Sequence, residues 1–307
     1  MRIRELGEDS LIRKIRKRFA NSASVVGIGD DAAIVEIPPE HSIVYCSDLV
    51  AESIHFLRDL HPPDSVGYKA VAVNVSDVGA MGGRPAFFTL SMSLPGDLET
   101  NWLDGFLDGV SRACADFGVH LVGGDTSSAE RIFVDVSMIG HLPRGSQVLR
   151  SGAKPGDGIY VTGMLGASAL GLERLRAGDA SHPSVHRHLY PAPRHRVGMA
   201  LASQVSAMID ISDGLSTDLY HILEESKVSC RIYKHLLPQA PDSTEHQVLH
   251  GGEEYELLIV GRNLPPKVEE VPLTLIGEVT PAAMDSQIYL IDGSRETALK
   301  PLGYKHF

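Results

Sequence analysis

Cysteine is scarce in this chain. Three occur in 307 residues (Cys46, Cys114 and Cys230), with no C-x-x-C pair, which excludes a disulfide framework or a cysteine-built zinc site and fits a reducing cytoplasm. Tryptophan occurs once, at Trp102, and no apolar run reaches membrane-spanning length. Positive charge is in deficit, with 28 basic against 39 acidic residues and a formal charge of -11. Such a field repels nucleic acid and anionic membranes, so neither is an expected partner, and an anionic substrate needs local cationic help. The opening stretch MRIRELGEDSLIRKIRKRF is basic, but it has no apolar h-region and carries Glu5, Glu8 and Asp9, which argues against a signal or transit peptide. The Walker pattern G-x-x-x-x-G-K-[ST], the protein-kinase motif set and any short-period repeat are also missing.

What is present reads as a globular α/β protein: 43% hydrophobic residues and 30 glycines, enough for many tight turns. The length exceeds that of a usual single core, which predicts two domains. The turn-rich stretch PRGSQVLRSGAKPGDG reads as their linker and sets the expected units at 1–149 and 150–307. Leu11, Ile12, Ile15 and Phe19 recur at helical spacing behind Asp9 and Ser10 as caps, predicting an amphipathic helix that packs on its own core rather than on a membrane or partner. DSVGYKAVAVNVSDVGAMGG predicts a small-residue helix with Asn74 and Asp77 on one face. Expected strands include SIVYCSDLV, AFFTLSMSL, a strand closing on VGGDTS, RIFVDVSMIG, IYVTG, AMIDIS, CRIYKHL, YELLIVG, LTLIGEV and QIYLI. A helix starting at Ser212 and Asp213 carries the stripe Leu215, Leu219, Ile222 and Leu223.

The stretch GIGDDAA (27–33) fits the G-x-G-x-x-A spacing of a dinucleotide-binding turn, in which phosphates sit on a helix N-terminus. That fingerprint must open a helix. Here SASVV and AAIVEI read as strands on either side of the turn, and Pro38-Pro39 forbid a long helix, so the dinucleotide reading fails on context. Asp30 and Asp31 in the turn then need another reason. Asp48, Asp125, Asp210 and Asp213 share their kind of position, a strand end or the first turn of a helix. Each alone reads as a turn former or N-cap. As a cluster they demand a cation, because two carboxylates ~4 Å apart repel by about 1 to 4 kcal/mol. Oxygen ligands without cysteine or histidine select a hard ion, Mg²⁺ before Zn²⁺.

Seven motifs in order, GIGDDAA, CSDLVAESIHF, KAVAVNVSDVGAMGG, LVGGDTS, RSGAKPGDGIYVTG, IDISDGLSTDL and GGEEYELL, closely resemble the thiamine-monophosphate kinase family, itself related to aminoimidazole ribonucleotide synthetase. The likeness runs from about Gly7 to the C-terminal GYKHF. It implies two α/β domains: an N-terminal domain for ATP, Mg²⁺ and dimerisation, pairing across a two-fold into a β-barrel, and a C-terminal domain closing an ATP cleft between the two. It further implies a cytoplasmic homodimer that phosphorylates thiamine monophosphate with ATP. By the same resemblance Asp31, Ser47, Asp48, Asp77, Asp125, Asp210 and Asp213 look like holders of several Mg²⁺ ions. Gly124, Asp125, Arg150 and Ser212 look like nucleotide contacts, and His55, Glu253 and Tyr304 resemble the residues that receive thiamine monophosphate. Asp48 and Asp125 look the most critical, and no residue is expected to act as general base. Two positions depart from the family pattern: Cys46 replaces a hydroxyl residue, and Glu254 replaces an aspartate one methylene shorter.

The reaction implied gives the aspartates a task. A phosphate monoester is largely dianionic at neutral pH, its second pKa being about 6, so the acceptor needs no general base. What remains is repulsion between two phosphate groups, which bridging cations neutralise while aligning an in-line attack. Two rival readings remain: another ATP-dependent enzyme of the superfamily, and a catalytically silent Mg²⁺ or nucleotide-binding protein. The histidines of HPSVHRHLYPAPRH (His182, His186, His188 and His195) suggest zinc, but their spacing matches no regular zinc pattern, and a solvated loop is the expectation.

Overall fold

The computed structural model describes residues 1–19 and 26–306. The chain divides into two compact units, residues 1–78 with 84–144, and residues 79–83 with 145–307.

The first unit opens with two short helices, α1 (Ile3–Leu6) and α2 (Glu8–Arg18). The amphipathic stripe of α2 buries Leu11 and Ile15 and leaves Ile12 exposed; Gly7 is the N-cap, so Asp9 and Ser10 sit inside the first turn. Most of SASVV lies outside the described residues, and AAIVEI contributes only a single bridge, Val26 to Ile34, in place of a strand. Its Ile34 is exposed and Pro38 follows, so no second row of ladder bonds forms. A four-stranded sheet follows, built from β1 (His41–Ala51), β2 (Arg84–Leu94), β3 (His120–Ser128) and β4 (Phe133–Pro143) in the order β1-β4-β2-β3. Only the β2/β3 pair is parallel. The sheet is open, with no closed barrel among the described residues.

Helices α3 (Pro63–Ala80) and α4 (Thr100–Phe117) supply the apolar cover. Their approach is set by glycine: a Cβ on Gly67 would stand 2.1 Å from the Phe106 carbonyl oxygen, and one on Gly109 only 1.8 Å from that of Asp64. From Ser65 to Ala80 every residue of α3 is buried except Asp77. A carboxylate breaks the apolar pattern at this one position, and it faces the first candidate site.

The second unit is a larger mixed sheet. Its strands are β5 (Gly158–Thr162), β6 (Val205–Asp210), β7 (Val228–Tyr233), β8 (Leu257–Gly261), β9 (Lys267–Val268), β10 (Val271–Pro281), β11 (Ile288–Asp292) and β12 (Arg295–Leu299). They run in the order β12-β11-β7-β10-β5-β8-β6, with β9 hairpinned onto β10. Its helices are α5 (Ala167–Arg176), α6 (Pro183–Leu189), α7 (His195–Leu201), α8 (Leu215–Ser226) and α9 (Glu245–His250), with one 3₁₀ turn at Lys234–Leu236. The α8 stripe Leu215, Leu219, Ile222 and Leu223 is wholly buried, packed with Ile209, Ile232 and Leu258. The histidine-rich loop of the sequence reading contains a helix, α6, opened by Pro183 at its first turn with the His182 ring accepting from the Ser184 N–H.

Candidate active site

In the first unit, strand alternation decides which side chains meet. Ser47 and Asp48 are neighbours on β1 and therefore point to opposite faces. Asp48 is half-buried against α3, within hydrogen-bonding reach of Asp77; burial holds its carboxyl above the usual carboxylate range, Asp135 adds to the rise, and Asp77 and His55 oppose it. The thiol of Cys46 turns the same way, 3.5 Å from Asn74 Oδ1. His55 is fixed where β1 ends, its Nδ1 accepting from the Ala51 N–H at 3.0 Å. On the other face, Ser47 Oγ donates to Asp135 Oδ1 (2.8 Å) and lies 3.0 Å from Ser137 Oγ, which donates to Asp135 Oδ2. The Ser47 hydroxyl is thus separated from the Asp48–Asp77 pair, and Asp135, which the sequence reading passed over, is its partner.

Asp125 and Gly124 lie on β3, opposite Ser91 and Leu90 of β2. Gly124 has φ 151, and a Cβ there would stand 1.9 Å from the Leu90 carbonyl oxygen, so only glycine fits. Asp125 is exposed, with Oδ1 accepting from the Thr126 N–H at 2.9 Å. Asp31 is exposed too; its N–H donates to Asp30 Oδ1 at 3.0 Å. Asp31, Asp48, Asp77 and Asp125 do not gather their oxygens into one tight cluster among the described residues.

The second unit assembles its site from three loops that share backbone hydrogen bonds. The loop after β6 holds Ser212 and Asp213, the segment before β8 holds Glu253, and the C-terminal stretch holds Tyr304. The Glu253 N–H donates to the Ser212 carbonyl (2.7 Å), the Tyr255 N–H to that of Ile211 (2.8 Å), and the Tyr304 N–H to that of Asp213 (3.0 Å). The structure therefore brings Ser212, Asp213, Glu253 and Tyr304 together. Close approach is again reserved by glycine, since a Cβ on Gly303 would meet the Asp213 carbonyl oxygen at 2.2 Å. Glu253 and Tyr255 sit at φ 60 and φ 52, left-handed conformations that side-chain-bearing residues hold only under constraint. The exposed Arg150 lies within the linker stretch, its carbonyl accepting from Ser226 Oγ.

Helix α8 begins after Gly214 rather than at Ser212, because Asp218 reaches back to accept from the N–H groups of Asp213 (3.1 Å) and Gly214 (3.0 Å). Asp218 is buried, and burial first, then Asp210 and Asp213, push its carboxyl up to about 8. Donor atoms of Asp213, Asp218 and His221 lie within 4.8 Å of one another, the one such group of three among the described residues. Each set is rich in oxygen donors and holds one carboxyl whose charged form is disfavoured, Asp48 beside Asp77 and Asp218 near Asp210 and Asp213, and such sets fit a hard divalent cation.

Known proteins share this two-unit sequence and fold. Residues 29–142 match the model of the AIR synthase related protein N-terminal domain, and residues 154–284 that of its C-terminal domain. Thiamine-monophosphate kinase of Escherichia coli O157:H7 is 39% identical over 98% of both chains. The chain belongs to the thiamine-monophosphate kinase family. Within that family the Bacillus subtilis protein is 34% identical, covering 98% of this chain and 100% of its own. Among solved structures, the Stenotrophomonas maltophilia K279a enzyme superposes with a TM-score of 0.81 at 30% identity, covering 91% of this chain and 95% of that one. AaThiL complexed with AMPPCP and TMP superposes with a TM-score of 0.78 at 34% identity, covering 100% of this chain and 99% of that one. The hydrogenase maturation protein HypE, at 21% identity and a TM-score of 0.80, shares the fold.

Proposed function

We propose that this chain transfers the terminal phosphoryl group of ATP to thiamine monophosphate, giving thiamine diphosphate and ADP. The observation that carries the reading is the full-length likeness to AaThiL in complex with AMPPCP and TMP. The direct test is formation of thiamine diphosphate and ADP from ATP and thiamine monophosphate.

Residues 1–149 carry the ATP- and Mg²⁺-binding and dimerisation roles, and residues 150–307 add further cation ligands and the thiamine-binding groups. Asp31, Ser47, Asp48, Asp77 and Asp125 in the first unit, with Asp210 and Asp213 in the second, would hold several Mg²⁺ ions. Bound there, such ions would neutralise phosphate charge and so help align donor and acceptor. Gly124 lets backbone approach the nucleotide without a Cβ in the way, and Asp125, Arg150 and Ser212 contact the nucleotide with it. The acceptor phosphate arrives ionised, so no side chain removes a proton. His55, Glu253 and Tyr304 bind the thiamine moiety: Glu253 matches its positive charge, and the Tyr304 ring lies against the thiazolium, a contact of roughly 0.5 to 2 kcal/mol. The outward face of β1 exposes Ile43 (60%), Tyr45 (65%) and Leu49 (51%). That stripe supports a homodimer in which the first units pair sheet to sheet as a barrel. No disulfide links Cys46, Cys114 or Cys230; the reaction is assigned to the cytoplasm, where thiols stay reduced. No described helix is long and apolar enough to cross a membrane.

A further inference from the structure

Helix α6 comes from the histidine-rich stretch that the functional reading leaves without a task. Its His188 is 2% exposed, and its Nδ1 lies 3.4 Å from Glu253 Oε2 and 3.1 Å from Ser168 Oγ. Ser168 lies in the first turn of α5 and is itself 1% exposed, and its N–H donates to Glu254 Oε1 at 3.0 Å. Glu253 and Glu254 are consecutive, so side chains and backbone close a ring: Glu253, His188, Ser168, Glu254. This ring surrounds a residue whose own backbone is left-handed. Such a backbone fixes where the Glu253 side chain starts but not where its carboxylate points, because three side-chain torsions remain free. The buried imidazole removes that freedom from one side.

We infer that His188 is a positioning residue for substrate recognition: through Nδ1 it fixes the Glu253 carboxylate in the orientation that receives the cationic, thiazolium-bearing substrate. The inference rests on the reading of Glu253 as a thiamine-binding group. A pre-oriented carboxylate binds its cation without first losing rotamer freedom, so His188 contributes to substrate affinity and leaves the phosphoryl-transfer step alone.

The test is steady-state kinetics on the full-length enzyme, varying each substrate in turn, with His188→Ala, His188→Asn, His188→Gln, Glu253→Gln and the double variant His188→Ala/Glu253→Gln. Removing an imidazole that braces a charged group is expected to raise KM for thiamine monophosphate roughly tenfold. The KM for ATP and kcat should stay within about twofold of wild type, since uniform binding alone is lost. Asparagine places an amide nitrogen where Nδ1 stood and restores KM; glutamine, which mimics the far ring nitrogen, does not. In the Glu253→Gln background, His188→Ala should have no further effect. The imidazole ¹⁵N shifts of His188 should move in Glu253→Gln, which reports the contact independently of turnover. Equal effects of His188→Ala with and without Glu253, a fall in kcat in place of the KM change, or no rescue by Asn in a folded variant would overturn the positioning role. If Glu253→Gln leaves KM unchanged while the ¹⁵N shifts move, the substrate role of Glu253 fails, and the inference with it. Unmoved shifts alongside a raised KM in Glu253→Gln would sink the His188 link alone.

Discussion

Replacing Asp48 by asparagine should move stability and activity in opposite directions. Its carboxyl is half-buried against Asp77 and held above the usual carboxylate range, chiefly by burial. An acid whose folded pKa is raised leaves stability intact at low pH, where both states carry the proton. As pH climbs through the folded value the unfolded chain has already released its proton, and stability falls. At neutral pH without metal, wild type therefore bears the cost of an ionised, half-buried carboxylate, with the like charge of Asp135 adding to it. As a scale, a like charge at ~4 Å costs about 1 kcal/mol in water and about 4 kcal/mol near a protein surface. The partial exposure of Asp48 favours the lower end, and about 1 kcal/mol corresponds to roughly 2 to 4 °C in Tm for a domain of this size. Asp48→Asn, an isostere with no proton to release, should unfold that much later in EDTA. Saturating Mg²⁺ should reverse the order, because a ligand at a hundredfold excess over its Kd stabilises by about 2.7 kcal/mol, and the variant has lost part of the site. Turnover should be abolished with unchanged circular dichroism. A variant that is less stable than wild type in EDTA, or that retains near-normal turnover, refutes the assignment of Asp48 as a cation ligand.

Two further outcomes follow from close packing and buried charge. Gly124→Ala must place a Cβ 1.9 Å from the Leu90 carbonyl at φ 151; a loss of more than about 1 kcal/mol on chemical denaturation is expected, with a raised KM for ATP, and an unperturbed variant would show the approach to be slack. Glu254 is 1% exposed, its carboxyl is pushed up to about 8 mainly by burial, and its Oε2 has no hydrogen-bond partner. Wild-type stability should therefore decline as pH rises from the ordinary carboxylate range toward about 8, a decline on the order of a few kcal/mol. Glu254→Gln should flatten that profile, and identical urea midpoints for both proteins across the range would contradict the burial argument.

Much of this architecture is legible in the sequence, and the exceptions have physical causes. Helix α3 announces itself by small residues between an acidic start at Asp64 and a glycine stop at Gly82-Gly83, and α8 by its apolar stripe. Strand β12, Arg295–Leu299, is mostly exposed and lies at a sheet edge, so it has no alternation to read; its pairing with β11 supplies its order. Helix α9 is short but carries a reciprocal Thr244–Gln247 capping box, a signal that local reading can use. AAIVEI has the composition of a strand but forms only one bridge, Val26 to Ile34. At the site, the acidic positions at strand ends were readable singly. Their company was not: Asp48 with Asp77 depends on how β1 lies over α3, Ser47 with Asp135 on the β1/β4 register, and His188 with Glu253 on a fold-level meeting of residues 65 apart in sequence. Spacing along a chain cannot report such meetings.

Incubation of the purified protein with ATP, thiamine monophosphate and Mg²⁺, followed by chromatographic separation of the products, tests the proposed phosphoryl transfer. Equal amounts of thiamine diphosphate and ADP are expected, with loss of both when EDTA is added and recovery with excess Mg²⁺. No thiamine diphosphate, or ATP consumption that is indifferent to thiamine monophosphate, would contradict it.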